Sequence, residues 1–97
     1  MEIAPYLRLM VEKNASDLFF SAGTPVHIKI EGETHAIGDS PLAPGAAKQL
    51  AYSIMNDDQI KAFEKSLEMN LAISLDKVGR FRVNVYRQRG ETAMVVR

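Results

Sequence analysis

The 97-residue sequence contains no cysteine. That excludes a disulfide framework, a thiolate metal site and a cysteine nucleophile, and it fits a reducing compartment. No apolar run approaches the roughly 18 residues that would cross a membrane as a helix. Around Glu2 and Pro5 there is no basic segment leading into an apolar stretch, so no signal peptide is expected and the location is read as cytoplasmic. Charge of one sign is missing too. Twelve Lys and Arg balance twelve Asp and Glu, which argues against a strongly basic nucleic-acid binder. G-x-x-x-x-G-K-[ST] and G-x-G-x-x-G are both absent, and no Gly-Lys pair follows Gly38 or Gly45. A phosphate cradle needs consecutive backbone N–H groups with a lysine at the start of a helix. The stretch is therefore expected to hold no cofactor and to hydrolyse nothing by itself.

What is present reads as one folded domain with a modest core. Hydrophobic residues at 46% and charged residues at 25% are the proportions of a globular protein and not of a disordered one. Ile3, Leu7, Met10 and Val11 have helical spacing, Pro5 suits a first turn and Asn14 suits a left-handed stop. Leu18-Phe19-Phe20 is β-prone. Val26, Ile28 and Ile30 alternate with polar residues, Gly32 supplies a turn, and Glu33 to Ile37 reads as the return strand. After a proline-containing loop from Gly38 to Pro44, the spacing of Ala43, Ala47, Leu50 and Ile54 predicts a second helix. Asn56 with Gln59 resembles a capping box opening a third, with Ile60, Phe63 and Leu67 as its buried stripe. From Glu68 the period becomes two: Leu71, Ile73 and Leu75, then Phe81, Val83 and Val85, and after a turn at Arg89-Gly90 a last strand runs from Thr92 to Val96. Helix, three strands, two helices and three strands with tight connections predict an α+β fold, its helices on one face of a mainly antiparallel sheet of about six strands.

Candidate chemistry is sparse. His27 and His35 lie on neighbouring strands but lack a third metal ligand, and read as solvated histidines. Ser16-Asp17 reads as a turn or cap device. Asp57-Asp58 at a helix start suits the dipole, and the methionines read as core filler. The arginines carry more. Arg80, Arg82, Arg87, Arg89 and Arg97 crowd the last eighteen positions, and alternation puts Arg80 and Arg82 on one face with Asn84 and Tyr86. Arginine offers a planar, permanently charged fork that suits phosphate or carboxylate. The plainer alternative is a solvated strand face paired with acids such as Glu68 or Glu91. Tyr86 beside arginine is also compatible with stacking of single-stranded nucleic acid, but balanced charge and few exposed aromatics speak against it.

Several phrases resemble one family. Ala15-Ser16-Asp17-Leu18-Phe19-Phe20-Ser21-Ala22-Gly23 resembles the segment after the first helix in type IV pilus retraction ATPases of the PilT/PilU family, within the type II/IV secretion ATPase superfamily. Ile54 to Gln59 with Phe63-Glu64, Glu68 to Ser74, and Gly79-Arg80-Phe81-Arg82-Val83-Asn84-Val85-Tyr86-Arg87-Gln88 resemble later segments of the same proteins. Phe19 stands where PilT-type chains usually carry histidine, Pro25-Val26 replaces Pro-Pro, and Asn70 replaces an aspartate. These departures lean towards the PilU branch.

The resemblance implies a PAS-like N-terminal domain over 1–97, followed in the whole protein by a P-loop motor domain that holds ATP and Mg. It implies a homo-hexamer in which this domain packs on the neighbouring subunit's motor domain. Arg82, then Arg80 and Arg97, would approach the nucleotide phosphates when the cleft closes. Implied partners are a companion PilT or PilU ATPase and the inner-membrane pilus platform, with the protein peripheral at the pilus base and no membrane insertion. The alternative is a free-standing PAS-like sensor or interaction module, which would need a cavity inside its core. Crowding of Leu, Ile, Val and Phe at inward positions predicts a filled core instead.

Overall fold

In the computed structural model, which describes residues 1–97, Ala4–Glu12 form helix α1 with Pro5 in the first turn. Its missing N–H would have had no partner there. Asn14 follows in the left-handed conformation, φ 53°. Leu7 and Met10 are buried, while Ile3, Tyr6 and Leu9 pack partly against the core. Val11, assigned by spacing to the same face, is 51% exposed. The helix is turned by Tyr6, whose ring meets Phe20 edge-on at 5.3 Å, and this rolls Val11 outward.

Six strands follow the predicted order. Asp17–Phe20 is β1, His27–Ile30 is β2 and Glu33–Ala36 is β3. Glu68–Leu75 is β4, Gly79–Gln88 is β5 and Glu91–Val96 is β6. Two hairpins close through Glu31-Gly32, φ 49° and 80°, and Arg89-Gly90, φ 54° and 79°. Paired positive φ values match the natural twist of the flanking strands. The sheet order is β3-β2-β1-β6-β5-β4 with every neighbour antiparallel. Strands β1 and β6, far apart in sequence, therefore meet at the centre.

Helix α2 spans Ala46–Ser53 and starts later than the spacing of Ala43 suggested, because Gly45 holds φ 84° at the N-cap and Pro44 precedes it. Ala43 and Ile54 lie outside it, and Ala47, Leu50 and Ala51 are its buried residues. Helix α3, Asp57–Ser66, opens on the predicted capping box. Gln59 N–H donates to Asn56 Oδ1 at 2.8 Å, and Asn56 N–H donates to Gln59 Oε1 at 2.9 Å. Asp57 and Asp58 occupy the first turn, where the helix dipole favours them. Asn56→Ala is expected to cost about 1 kcal/mol, read as a lower urea midpoint with unchanged slope. The predicted stripe on α3 is shorter than its spacing suggests. Leu67 adopts φ 63° as the C-cap and swings out to 46% exposure, leaving Phe63 buried and Ile60 half-buried.

Strand alternation divides the sheet into two unlike faces. Leu18, Phe20, Ile28, Phe81, Val83, Val85, Met94 and Val96 share one face, and join Leu7, Met10, Ala47, Leu50, Ala51 and Phe63 in a single core cluster. All three helices cover that face. The hollows found around the molecule are open to solvent, so the filled core expected from the inward residues is what the fold has. The other face carries Asp17, Phe19, His27, Lys29, Arg82, Asn84, Val95 and Arg97 and has no helix over it.

Candidate anion site on the uncovered sheet face

The register decides which side chains on this face become neighbours. Arg82 and Arg97 exchange backbone hydrogen bonds, N···O 2.9 and 2.7 Å, so the two side chains leave β5 and the end of β6 side by side. Ala72 and Asn70 of β4 lie opposite Arg82 and Asn84. A hollow of about 120 Å³ results, lined by Asn70, Arg82, Asn84 and Arg97 with Leu71 and Val83. Asn84 Nδ2 donates to Asn70 Oδ1 at 2.8 Å, which leaves the Asn70 amide nitrogen as a further donor. No carboxylate lines the hollow, and Arg82 has no ion pair. Two guanidinium forks and an amide make a donor set suited to an anion such as phosphate or carboxylate.

The arginines differ in their surroundings. Arg97 Nε lies 3.5 Å from Asp17 Oδ2, with the arginine side chain 64% and the aspartate side chain 18% exposed. Such a half-wet pair contributes little to stability; its effect is to hold Arg97 at the rim, away from solvent-only orientations. Asp17→Asn is expected to change unfolding free energy by less than about 1 kcal/mol, measured by urea titration. Arg80 shares the face and lies opposite Ser74, outside the hollow. It lines a second depression with Arg97, Asn14 and Ser16 at the end of α1. Of the three arginines singled out from the sequence, Arg82 and Arg97 are brought together, and Arg80 stands apart with Arg97 shared between the two hollows.

The acids suggested as cross-strand partners form no ion pair with the arginines. Glu68 lies opposite Tyr86, and Glu91 Oε1 accepts from Gly45 N–H at 3.1 Å, capping α2. Arg87 donates to the Gly90 carbonyl at 2.7 Å. Ser16-Asp17 is not a cap: Ser16 N–H bonds the Lys29 carbonyl at 2.9 Å, and Asp17 is a strand residue. The histidines do not converge. His27 lies opposite Ala36, and His35 opposite Ile28, so the two project from opposite faces, and no group of three or more acids and histidines is placed to hold a metal. On the helix side, burial pushes the Tyr52 phenol up from 10.0, and its hydrogen bond to Glu64, 2.9 Å, adds to this. Sequence reasoning placed Asn84 with the arginines by parity. It missed Asp17 and Asn70, because only the pairing of β1 with β6 and β4 with β5 puts them there.

No protein-family model matches the chain. Individual relatives do. The type IV pilus ATPase PilU of Pseudomonas aeruginosa is 41% identical over 97 residues, all of this chain and 25% of that protein. The pilus retraction ATPase PilT of the same organism is 38% identical, again over the whole chain and over 28% of its own length. A crystal structure of the pilus retraction motor PilT with bound ADP superposes with a TM-score of 0.90 at 33% identity, covering 100% of this chain and 29% of that one. Over its whole length the chain is homologous to PilU and PilT. It matches the N-terminal part of these proteins and spans about a quarter of their length. The Legionella pneumophila ATPase DotB, with a TM-score of 0.76 at 19% identity over 96% of this chain and 27% of its own, shares the fold.

Set against the PilT pattern, two departures noted in the sequence fall on the uncovered face. Phe19 sits between His27 and Val95, and Asn70 lines the hollow itself. An aspartate at position 70 would place a carboxylate beside Arg82; asparagine leaves the hollow without one.

Proposed function

We propose that this chain is the regulatory and assembly domain of a pilus-retraction ATPase, and that its uncovered face closes over nucleotide bound to a motor domain encoded beyond Arg97. The observation that carries the reading is the pairing of Arg82 and Arg97 at a carboxylate-free hollow on the one sheet face that no helix covers. Positive charge brought to a transferring phosphoryl group stabilises the charge that develops there, and it couples cleft closure to nucleotide state. Arg82 is the principal phosphate contact, Arg97 the second, and Arg80 a peripheral one. ATP and its Mg2+ would be held by the motor domain, since the residues here suit the anion and not the metal. The full protein acts as a homo-hexamer, with this domain packed on the neighbouring subunit's motor domain. Its partners are a companion PilT or PilU ATPase and the pilus platform. No helix of the chain is long and apolar enough to cross a membrane. A cytoplasmic location, peripheral at the inner-membrane pilus base, is part of the same proposal.

The test compares three proteins: the 97-residue chain, the intact protein, and the intact protein without residues 1–97. The isolated chain should hydrolyse no ATP, and the truncated protein should lose both ring assembly in sedimentation and most of its turnover. A truncated protein that assembled and hydrolysed ATP like the intact one would remove the domain from the mechanism.

A further inference from the structure

The two edges of the sheet are built differently. Strand β3 has four residues, all exposed, and it carries Glu33 and His35. Short, charged edges discourage further pairing. Strand β4 has eight residues, and from Met69 to Leu75 it contains no charge, no proline and no glycine. Met69, Leu71, Ile73 and Leu75 pack only partly against the core and leave an apolar margin along this edge.

The backbone shows which groups are free. Arg87 N–H bonds the Leu67 carbonyl. Antiparallel alternation then turns the N–H and C=O groups of Met69, Leu71, Ile73 and Leu75 towards β5, and those of Glu68, Asn70, Ala72 and Ser74 outward. The Glu68 carbonyl already accepts from Ser66 Oγ at 2.8 Å. The open stretch is therefore Asn70, Ala72 and Ser74, symmetric about Ala72. A strand with these same three residues, run antiparallel, satisfies every open group when Ala72 faces Ala72 and Asn70 faces Ser74. In that register Leu71 meets Ile73 and Met69 meets Leu75 on the core side. No charged pair falls between Met69 and Leu75, and the acids Glu68 and Asp76 face each other only at the two ends of the paired stretch. A one-pair shift would bring in Glu68, whose carbonyl is taken.

We propose that β4 is a homotypic docking edge: a second copy of this chain pairs its β4 antiparallel to the first, with Ala72 on the two-fold axis. The contact is isologous and closes on itself. It runs the two sheets into one and keeps both arginine hollows on the same face. The inference does not depend on the arginine reading.

Sedimentation of the 97-residue chain over rising concentration should show a monomer–dimer equilibrium. Ala72→Lys sets two ammonium groups opposite each other with an Arg82 beside each, and Ala72→Pro removes an outward N–H that the fold itself does not use. Each should weaken the dimer by about tenfold or more and leave the circular dichroism and melting curve of the monomer unchanged. Because the chain has no cysteine, Ala72→Cys reports the register directly. Opposed residues in such a pair lie about 5.5 Å apart at Cα, within reach of a disulfide or a short thiol cross-linker. Rapid cross-linking of Ala72→Cys, and none of Thr34→Cys on the opposite edge, is expected. A chain that stays monomeric at every concentration would overturn the proposal. So would a dimer indifferent to both Ala72 variants, or equal cross-linking at positions 34 and 72.

Discussion

Arg82→Ala in the intact protein is expected to lower ATP turnover by about a hundredfold while leaving the melting temperature of this domain unchanged. The two halves of that expectation have separate causes. Arg82 is exposed and forms no ion pair, and its backbone bonds to Arg97 survive truncation of the side chain. The fold therefore loses almost nothing. What is lost is a guanidinium fork free of any ion pair and placed beside a second one, where an approaching phosphate would find two donors and only Asp17, beside Arg97, as a competing carboxylate. Arg82→Lys should recover only part of the rate, because an ammonium supplies charge without the planar fork. Arg97→Ala should cost less than Arg82→Ala, since Arg97 already shares its charge with Asp17. Arg80→Ala should cost least, because Arg80 lines the neighbouring depression and not the hollow. Steady-state ATPase assays with a thermal melt of each variant check the ranking. Full activity in Arg82→Ala would remove the phosphate role.

Phe20→Ala is expected to destabilise the domain by about 3–5 kcal/mol, a large share of the roughly 5–15 kcal/mol available to a domain of this size. Phe20 is fully buried, sits in central strand β1 opposite Met94, and holds α1 through the edge-on contact with Tyr6. Removing the ring leaves a cavity at the junction of α1, β1 and β6, where the strands on either side cannot collapse without breaking their ladder. Urea unfolding of the 97-residue chain should show a sharply lower midpoint. Phe19→Ala, one residue earlier on the half-buried outer face, should cost much less. Similar losses at the two positions would contradict the assignment of faces.

That contrast between Phe19 and Phe20 shows what alternation alone conveys. The order of elements, the hairpin turns and the capping box of α3 are local, each depending on residues within a few positions. They were therefore legible along the chain. Errors arose where packing overrides spacing. Val11 has helical periodicity but is rolled outward by the Tyr6–Phe20 contact. Leu67 is in phase with Phe63 but ends the helix in a left-handed turn. His27 and His35 sit on adjacent strands, yet a one-residue offset in register sends them to opposite faces.

By itself, then, the sequence determined the α+β class, the missing P-loop, the shared face of Arg80, Arg82 and Asn84, and the family resemblance. Each follows from composition, period or contiguous motif. Only the tertiary structure decided that Arg97 stands beside Arg82 with Asp17 behind it, that Asn70 completes the hollow while Arg80 does not, and that β4 is left as an open edge. Those outcomes depend on β1, β5 and β6 meeting at the centre of the sheet. No local signal encodes that meeting, because it is set by burying the apolar residues of strands far apart in the chain against one common layer of helices.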